Sequence, residues 1–297
     1  MRFGISLPQS EFDPETFRNH VVRAEELGFD SGWTMEQIFG GMAHLAPLET
    51  MTYAAACTTT LRLGCAVFVS PLHSPVHLAK SIATVDQISG GRVEVGFGVG
   101  GRFRMLSAFA VEPDGLVTRF TESVRLMKEC WTAETINFNG RFWQVTDANL
   151  APKPVQRPYP PIWFGGSHPN AVRRAVRYAD GFFGAGSSTT ADFAEQVKIL
   201  RAEPGGREFP VAKRVYITVD DNSARARQEA ADGLADIYGQ FGLTLGPVAV
   251  AGTPEECVAG LRDVVAAGAE LVVLNPLRRV REQMERLATD VIPYVGG

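Results

Sequence analysis

The chain has 297 residues, 45% hydrophobic and 21% charged, with a formal net charge of −4. These are globular proportions at a length that allows a large core. The acidic balance and scattered basic residues speak against nucleic acid or an anionic membrane as partner. The four cysteines, Cys57, Cys65, Cys130 and Cys257, are far apart and set among apolar residues. They offer no C-x-x-C site and read as reduced thiols of a cytoplasmic protein.

In chain order, "MRFGISLPQS" enters a strand over 2–7 at once, with no signal-peptide core. Asp13 caps a helix with Pro14 at its first position; Phe17, Val21, Ala24 and Leu27 form its apolar face, and Gly28 ends it. Strands follow over 28–35 and 61–68. Ser74-Pro75 opens a second helix, running through Val76, Ala79, Ala83 and Ile88. "SGGR" (89–92) turns into a strand over 92–98, and the next clear helix begins near Thr118. Residues 134–160 are too rich in proline for a simple connection and predict a hairpin turning at Asn139-Gly140, then an extended segment. Strands over 161–166, 180–185 and 214–219 come next, with a helix from about Pro169. Residues 240–253 are a second irregular stretch. Thr253-Pro254-Glu255-Glu256 is a capping box; Val258, Leu261, Val264 and Val265 carry its helix to Gly268 and a last strand over 270–275. No apolar run is long enough to span a membrane.

Eight strands alternating with helices predict a (β/α)8 barrel, with an open doubly wound sheet as the alternative. One domain over 1–297 is expected, with insertions at about 134–160 and 240–253. In such a barrel the chemistry sits at the strands' C-terminal ends. "VEVGFGVGGRF" contains Gly96-Phe97-Gly98-Val99-Gly100-Gly101, a match to the dinucleotide pattern G-x-G-x-x-G. It falls after three earlier strand–helix units, and Pro113-Asp114-Gly115 interrupts the helix it should open, so a Rossmann fold is disfavoured. Both Gly98–Gly101 and Gly165-Gly166-Ser167 leave strands on the active face. The second precedes a helix N-terminus suited to an anion, though ordinary turn glycine is the competing reading. Val93, Val95 and Phe97 should face helices, leaving Glu94 inside the barrel as a buried carboxylate in need of a partner. His20 and His77 lie on helices; His73 and His168 follow active-face exits; His44 lies in the "GGMAHLAP" loop. No H-e-x-x-H metal spacing or G-x-S-x-G turn is present. The arginine clusters 173–177 and 278–281 read as solvated helix faces.

"LRLGCAVFVSPLHSPVHLAKSIATVDQISGGRVEVGFGVGG", Arg119 and Glu122 in "TRFTESVRLMKECW", "PKPVQRPYPPIWFGGSHPNAVRRAVRYADGF" and "GTPEECVAGLRDVVAAGAELVVLNP" together resemble the luciferase-like monooxygenase superfamily. The flavour is that of its deazaflavin branch, the coenzyme F420 oxidoreductases; users of flavin mononucleotide (FMN) share the scaffold. The resemblance implies a barrel with the cofactor ring over its C-terminal mouth and a non-prolyl cis peptide at Ala66-Val67 beneath it. It implies cofactor contacts at Gly98, Val99, Gly100 and Gly101, and at Gly165, Gly166 and Ser167. It also implies a homodimer that transfers a hydride between coenzyme F420 and a small organic substrate. An FMN-dependent two-component monooxygenase and a non-catalytic flavin-binding protein are the alternatives. One departure stands out: Glu36-Gln37 replaces the branch's Asp-His pair. Glu36, Gln37 and His73 are expected on the substrate side, Glu36 either as acid or base or as a solvated loop carboxylate. Loops 36–47, 102–117, 184–192 and 238–252 would set the substrate. Their Phe39, Met42, Phe103, Met105 and Leu106 hint at an apolar one.

Overall fold

Strands β1 (Arg2–Ser6), β2 (Ser31–Thr34), β3 (Arg62–Val69) and β4 (Val93–Gly98) pair side by side in parallel. After a two-stranded hairpin, β5 (Ile136–Asn139) and β6 (Gln144–Ala148), the sheet continues with β7 (Ile162–Gly165), β8 (Gly181–Gly184) and β9 (Val211–Val219). A short β10 (Val250–Gly252) precedes β11 (Leu271–Pro276), which pairs with both β9 and β1 and closes the ring. Eight parallel strands thus form a closed (β/α)8 barrel in this computed structural model, which describes residues 1–40, 43–100 and 106–296. The helices around it are α1 (Pro14–Glu26), α2 (Pro47–Cys57), α3 (Pro75–Ser89), α4 (Leu116–Thr132), α5 (Pro169–Tyr178), α6 (Thr190–Ala202), α7 (Ser223–Tyr238), α8 (Pro254–Ala266) and α9 (Val280–Arg286). Among the described residues no helix is long and apolar enough to cross a membrane.

Local sequence explains the helix starts. The Asp13 carboxylate accepts from the Thr16 N–H at 2.8 Å, Ser74 caps α3, and Thr253 with Glu256 forms a reciprocal capping box at α8. The predicted face of α3 needs correction. Leu78, Ala79, Ile82, Ala83 and Val85 are buried, whereas Val76 and Ile88 are exposed. Those two lie off the stripe at 78–79–82–83 that faces the sheet.

Both irregular stretches have a structural reason. In the hairpin after α4, Gly140 N–H donates to the Trp143 carbonyl at 2.9 Å. The Glu122 carboxylate on α4 accepts from the N–H groups of Arg141, Phe142 and Trp143 at 2.8, 2.7 and 2.9 Å, tying the turn to the barrel. The 240–253 stretch, expected to be irregular throughout, contains β10. Strand β9 is nine residues long and β8 only four. β8 covers the lower half of that edge of β9, and β10 pairs with the upper half through Val250↔Ile217.

The main core lies between barrel and helices. Val93, Val95 and Phe97 of β4 join it, as their alternation predicts. A smaller cluster of Trp33, Trp163, Phe183, Ala212, Leu271 and Val273 fills the barrel interior. Glu94 is 1% exposed at the N-terminal end of the barrel. Its carboxylate takes Arg2 Nη2 at 2.6 Å, Arg62 Nε at 2.5 Å and Trp163 Nε1 at 2.7 Å. The expected partner of this buried carboxylate is therefore a pair of arginines and an indole.

Candidate active site

At the C-terminal ends of the strands a cavity of about 700 Å3 opens between the exits of β3, β4, β7, β8 and β9. Ala66, Val67, Gly98, Val99, Gly100, Gly165, Gly166 and Ser167 all line it. Gly101 lies outside the described residues, as do Met42, Phe103 and Met105. The Ala66–Val67 peptide is cis, and the pairing of β3 with β4 shifts register between Cys65 and Phe68. The glycines explain how this bulge fits. A Cβ on Gly96 would stand 2.5 Å from the Cys65 carbonyl oxygen; one on Gly98 would stand 2.7 Å from Val67 Cγ2, and one on Gly165 3.1 Å from Val67 Cγ1. The G-x-G of the opening motif thus makes room for the backbone and side chain of β3. Gly100, with φ +84°, also lines the cavity.

The exit of β7 leads from Gly165-Gly166-Ser167 into α5. His168 is the N-cap, with Nδ1 accepting from the Asn170 N–H at 3.1 Å, so its role here is a cap on the cavity wall. Arg174, two turns into α5 from the cap, also lines the cavity and makes no ion pair among the described residues. Burial pushes its pKa below the usual arginine value. The reading of the 173–177 cluster as a solvated face therefore holds for Arg173, which pairs with Glu203 at 3.1 Å, and fails for Arg174.

Glu36 and His73 come together, with Oε1 2.7 Å from Nε2. Glu36 Oε2 accepts from the Val69 N–H at 2.7 Å, and the carboxylate side chain is only 5% exposed. The solvated-loop reading of Glu36 is thereby overturned. The pair lines neither this cavity nor the neighbouring one. It ties the loop after β2 to the turn after β3. Gln37 lines the neighbouring cavity. Phe39 is exposed and stands edge-on to Phe109 at 5.8 Å between centroids.

Strand β9 supplies residues that sequence reading passed over. Arg214 and Tyr216 alternate onto the cavity wall. Arg214 is 6% exposed; its Nη2 donates to the Ala66 carbonyl at 3.1 Å, and it has no ion pair among the described residues. The Tyr216 and Tyr238 hydroxyls meet at 2.6 Å, and burial, with Tyr238 beside it, pushes the Tyr216 phenol well above its ordinary value. On the other face of β9, Lys213 donates to the carbonyl of Ser188 at 2.8 Å and its hydroxyl at 3.0 Å. That staples the wall segment Ala185–Ser188. The period-two alternation of "KRVYITV" was the available signal for all three.

A second cavity of about 490 Å3 adjoins the first, with Met35 and Arg214 on both linings. It lies by the exits of β1, β2 and β11, and Ser6, His20, Trp33 and His44 are among its walls.

A family model described as luciferase-like monooxygenase matches residues 1–246. An FMNH(2)-dependent dimethylsulfone monooxygenase of Pseudomonas putida is 32% identical over 235 residues, 76% of this chain and 64% of that protein. An F420-dependent glucose-6-phosphate dehydrogenase of Amycolatopsis mediterranei (strain U-32) is 29% identical over 191 residues, 61% of this chain and 56% of that protein. The chain thus spans less than two thirds of the length of either relative. Among solved structures, monooxygenase RslO1 from Streptomyces bottropensis superposes with a TM-score of 0.85 at 23% identity, covering 99% of both chains. The coenzyme F420 dependent tetrahydromethanopterin reductase from Methanopyrus kandleri does so at 0.81 and 20%, again over 99% of both. At these identities the structural likeness establishes the fold.

Proposed function

The chain belongs to the luciferase-like monooxygenase family, and from that premise we propose that it is an oxidoreductase using a flavin-type cofactor. The first reading is hydride exchange between coenzyme F420 and a small organic substrate. The observation that carries it is the bulge at Ala66–Val67, packed against two glycine-rich strand exits on one cavity wall. The cavity also fits a phosphorylated aromatic group chemically. Phe120, Phe164 and Phe183 give apolar walls; the N-terminus of α5 and Arg174, without an ion pair among the described residues, suit a phosphate.

When bound, the deazaflavin supplies the hydride donor or acceptor. The protein's part is to seat and exclude. Ala66 and Val67 offer one apolar surface to a ring, Gly98, Val99 and Gly100 its edge, and Gly165, Gly166 and Ser167 the approach of the phosphorylated tail. The aromatic walls keep water from that surface. Glu36 and His73 hold the turn after β3 in place.

A second reading, an FMN-dependent monooxygenase using reduced flavin and oxygen, is favoured by the 32% identity to the dimethylsulfone enzyme. Titration of purified protein with coenzyme F420 and with FMN, each oxidised and reduced, separates the two. Saturable F420 binding is expected; tight FMN binding without F420 binding would replace the first reading by the second. A homodimeric, cytoplasmic protein is part of the proposal, and light scattering that finds only monomer would remove the dimer.

A further inference from the structure

Six buried side-chain nitrogen or oxygen atoms lack a hydrogen-bond partner among the described residues, and four of them belong to residues that line the second cavity: Ser6 Oγ, His20 Nε2, His44 Nδ1 and Arg214 Nε. A buried polar atom left without a partner is costly, so such atoms are normally few and scattered. Four around one void mean that the void is built for something polar. His20 and Arg214 are each only 6% exposed, so bulk water does not serve them.

The donor–acceptor inventory says what would serve them. Arg214 Nε can only donate, and the Ser6 hydroxyl and a neutral His44 imidazole can donate in the appropriate rotamer or tautomer; neutral His20 gives its one N–H to the Ser6 carbonyl and is not counted among them. The common demand is an acceptor. The charges agree. Arg281 adds a second guanidinium to the lining and, like Arg214, makes no ion pair among the described residues. The single carboxylate on the lining, Glu11, is engaged with the Asp13 N–H at 3.0 Å. Ordered water would fill the hydrogen bonds but would bring no charge to offset a buried guanidinium. Leu7, Ile237, Leu277 and Val280 give the cavity an apolar side, and the neutral polar groups of Gln9, Asn19, Gln37 and Asn275 complete the lining.

We propose that the second cavity is the substrate's own pocket, and that it takes a small organic acid. The oxyanion, a carboxylate or sulfonate, lies among Arg214, Arg281 and Ser6, and the apolar body lies along Ile237 and Leu277. This rests on the reading of the first cavity as the cofactor seat. Met35 and Arg214, shared by both linings, form the wall across which substrate and cofactor meet.

The test uses cofactor-free protein and calorimetric titration with benzoate and benzenesulfonate, against the neutral analogues benzamide and benzyl alcohol. One or both acids are expected to bind about tenfold or more tightly than the neutral pair, the weight of a charge-assisted hydrogen bond. The arm that binds identifies the oxyanion. Arg281→Gln, an exposed position, should weaken acid binding by about tenfold, and Ser6→Ala by a smaller factor. Cofactor affinity, measured on the same variants, should not move. Neutral analogues that bind as well as the acids would overturn the proposal, and so would acid binding indifferent to Arg281→Gln. Loss of cofactor affinity in Arg281→Gln with acid binding intact would hand the pocket to the cofactor and overturn it too. Wild-type protein that binds acids but no flavin would sink the cofactor reading alone.

Discussion

Single side chains carry more structural than chemical duty here. Glu36 stands where the family's deazaflavin branch has an acid, yet its oxygens are spent on the Val69 N–H and His73. Glu36→Gln retains an acceptor for Val69 and should cost about 1–3 kcal/mol of stability. Cofactor affinity and the pH–rate profile should stay unchanged; loss of one limb of that profile would return Glu36 to the chemistry. Gly96→Ala would press a methyl onto the Cys65 carbonyl. It should destabilise by about 1–3 kcal/mol in a thermal melt; no loss would remove the packing account of the G-x-G pattern. His20 is held down to about 4, because burial disfavours the imidazolium and Arg281 repels it, while the Ser6 backbone pulls weakly the other way. The fold thus prefers neutral His20. Its contribution to stability is complete above the ordinary histidine value and drains as pH falls through about 4. Melting temperature followed from about pH 7 to 4.5 should fall less steeply in His20→Asn than in wild type.

Strand β9 is the element that the barrel mouth depends on most. Its outward Lys213 fixes the segment after β8, and its inward Arg214 and Tyr216 face the cavity. Lys213→Met would leave the Ala185 and Ser188 carbonyls without their ammonium, at a cost of about 1–3 kcal/mol. Because Ala185, Gly186 and Ser187 line the first cavity, the same variant should weaken cofactor binding. Unchanged affinity would mean that this wall takes no part. The strand was legible from "RVYITV", but the sequence-predicted start at 214 missed Val211, Ala212 and Lys213. A lysine in a strand buried along its whole length reads as a breaker until the oxygens around its ammonium are seen.

Across the molecule, the two ends of the barrel divide the work. The N-terminal end is closed by Glu94 with Arg2, Arg62 and Trp163, and Arg2 also holds Asp30 at 2.8 Å. Removing the shared carboxylate leaves Arg62 without its ion pair and Trp163 Nε1 without its acceptor, while Arg2 keeps Asp30. Glu94→Ala should therefore cost about 3–5 kcal/mol and leave cofactor affinity intact below the lowered melting temperature. A large change in affinity at full folding would contradict the separation of a stability end from a binding end.

The sequence by itself determined the barrel, its eight strands, the capped starts of α1, α3 and α8, and the glycine-rich exits that gather at one mouth. Those features are local: alternation, capping chemistry and turn residues act over a few positions, and the strand–helix rhythm follows from them. Tertiary structure alone decided what each side chain meets. It turned Glu36 toward His73, 37 residues on, and put Arg214 against Ala66, 148 residues away. It fitted Gly96 and Gly98 around β3 and left four polar atoms unpartnered on the walls of one cavity. Closure of the ring brings together strands whose spacing along the chain carries no record of the contact, so a site assembled from several strand exits becomes visible only when the barrel is closed.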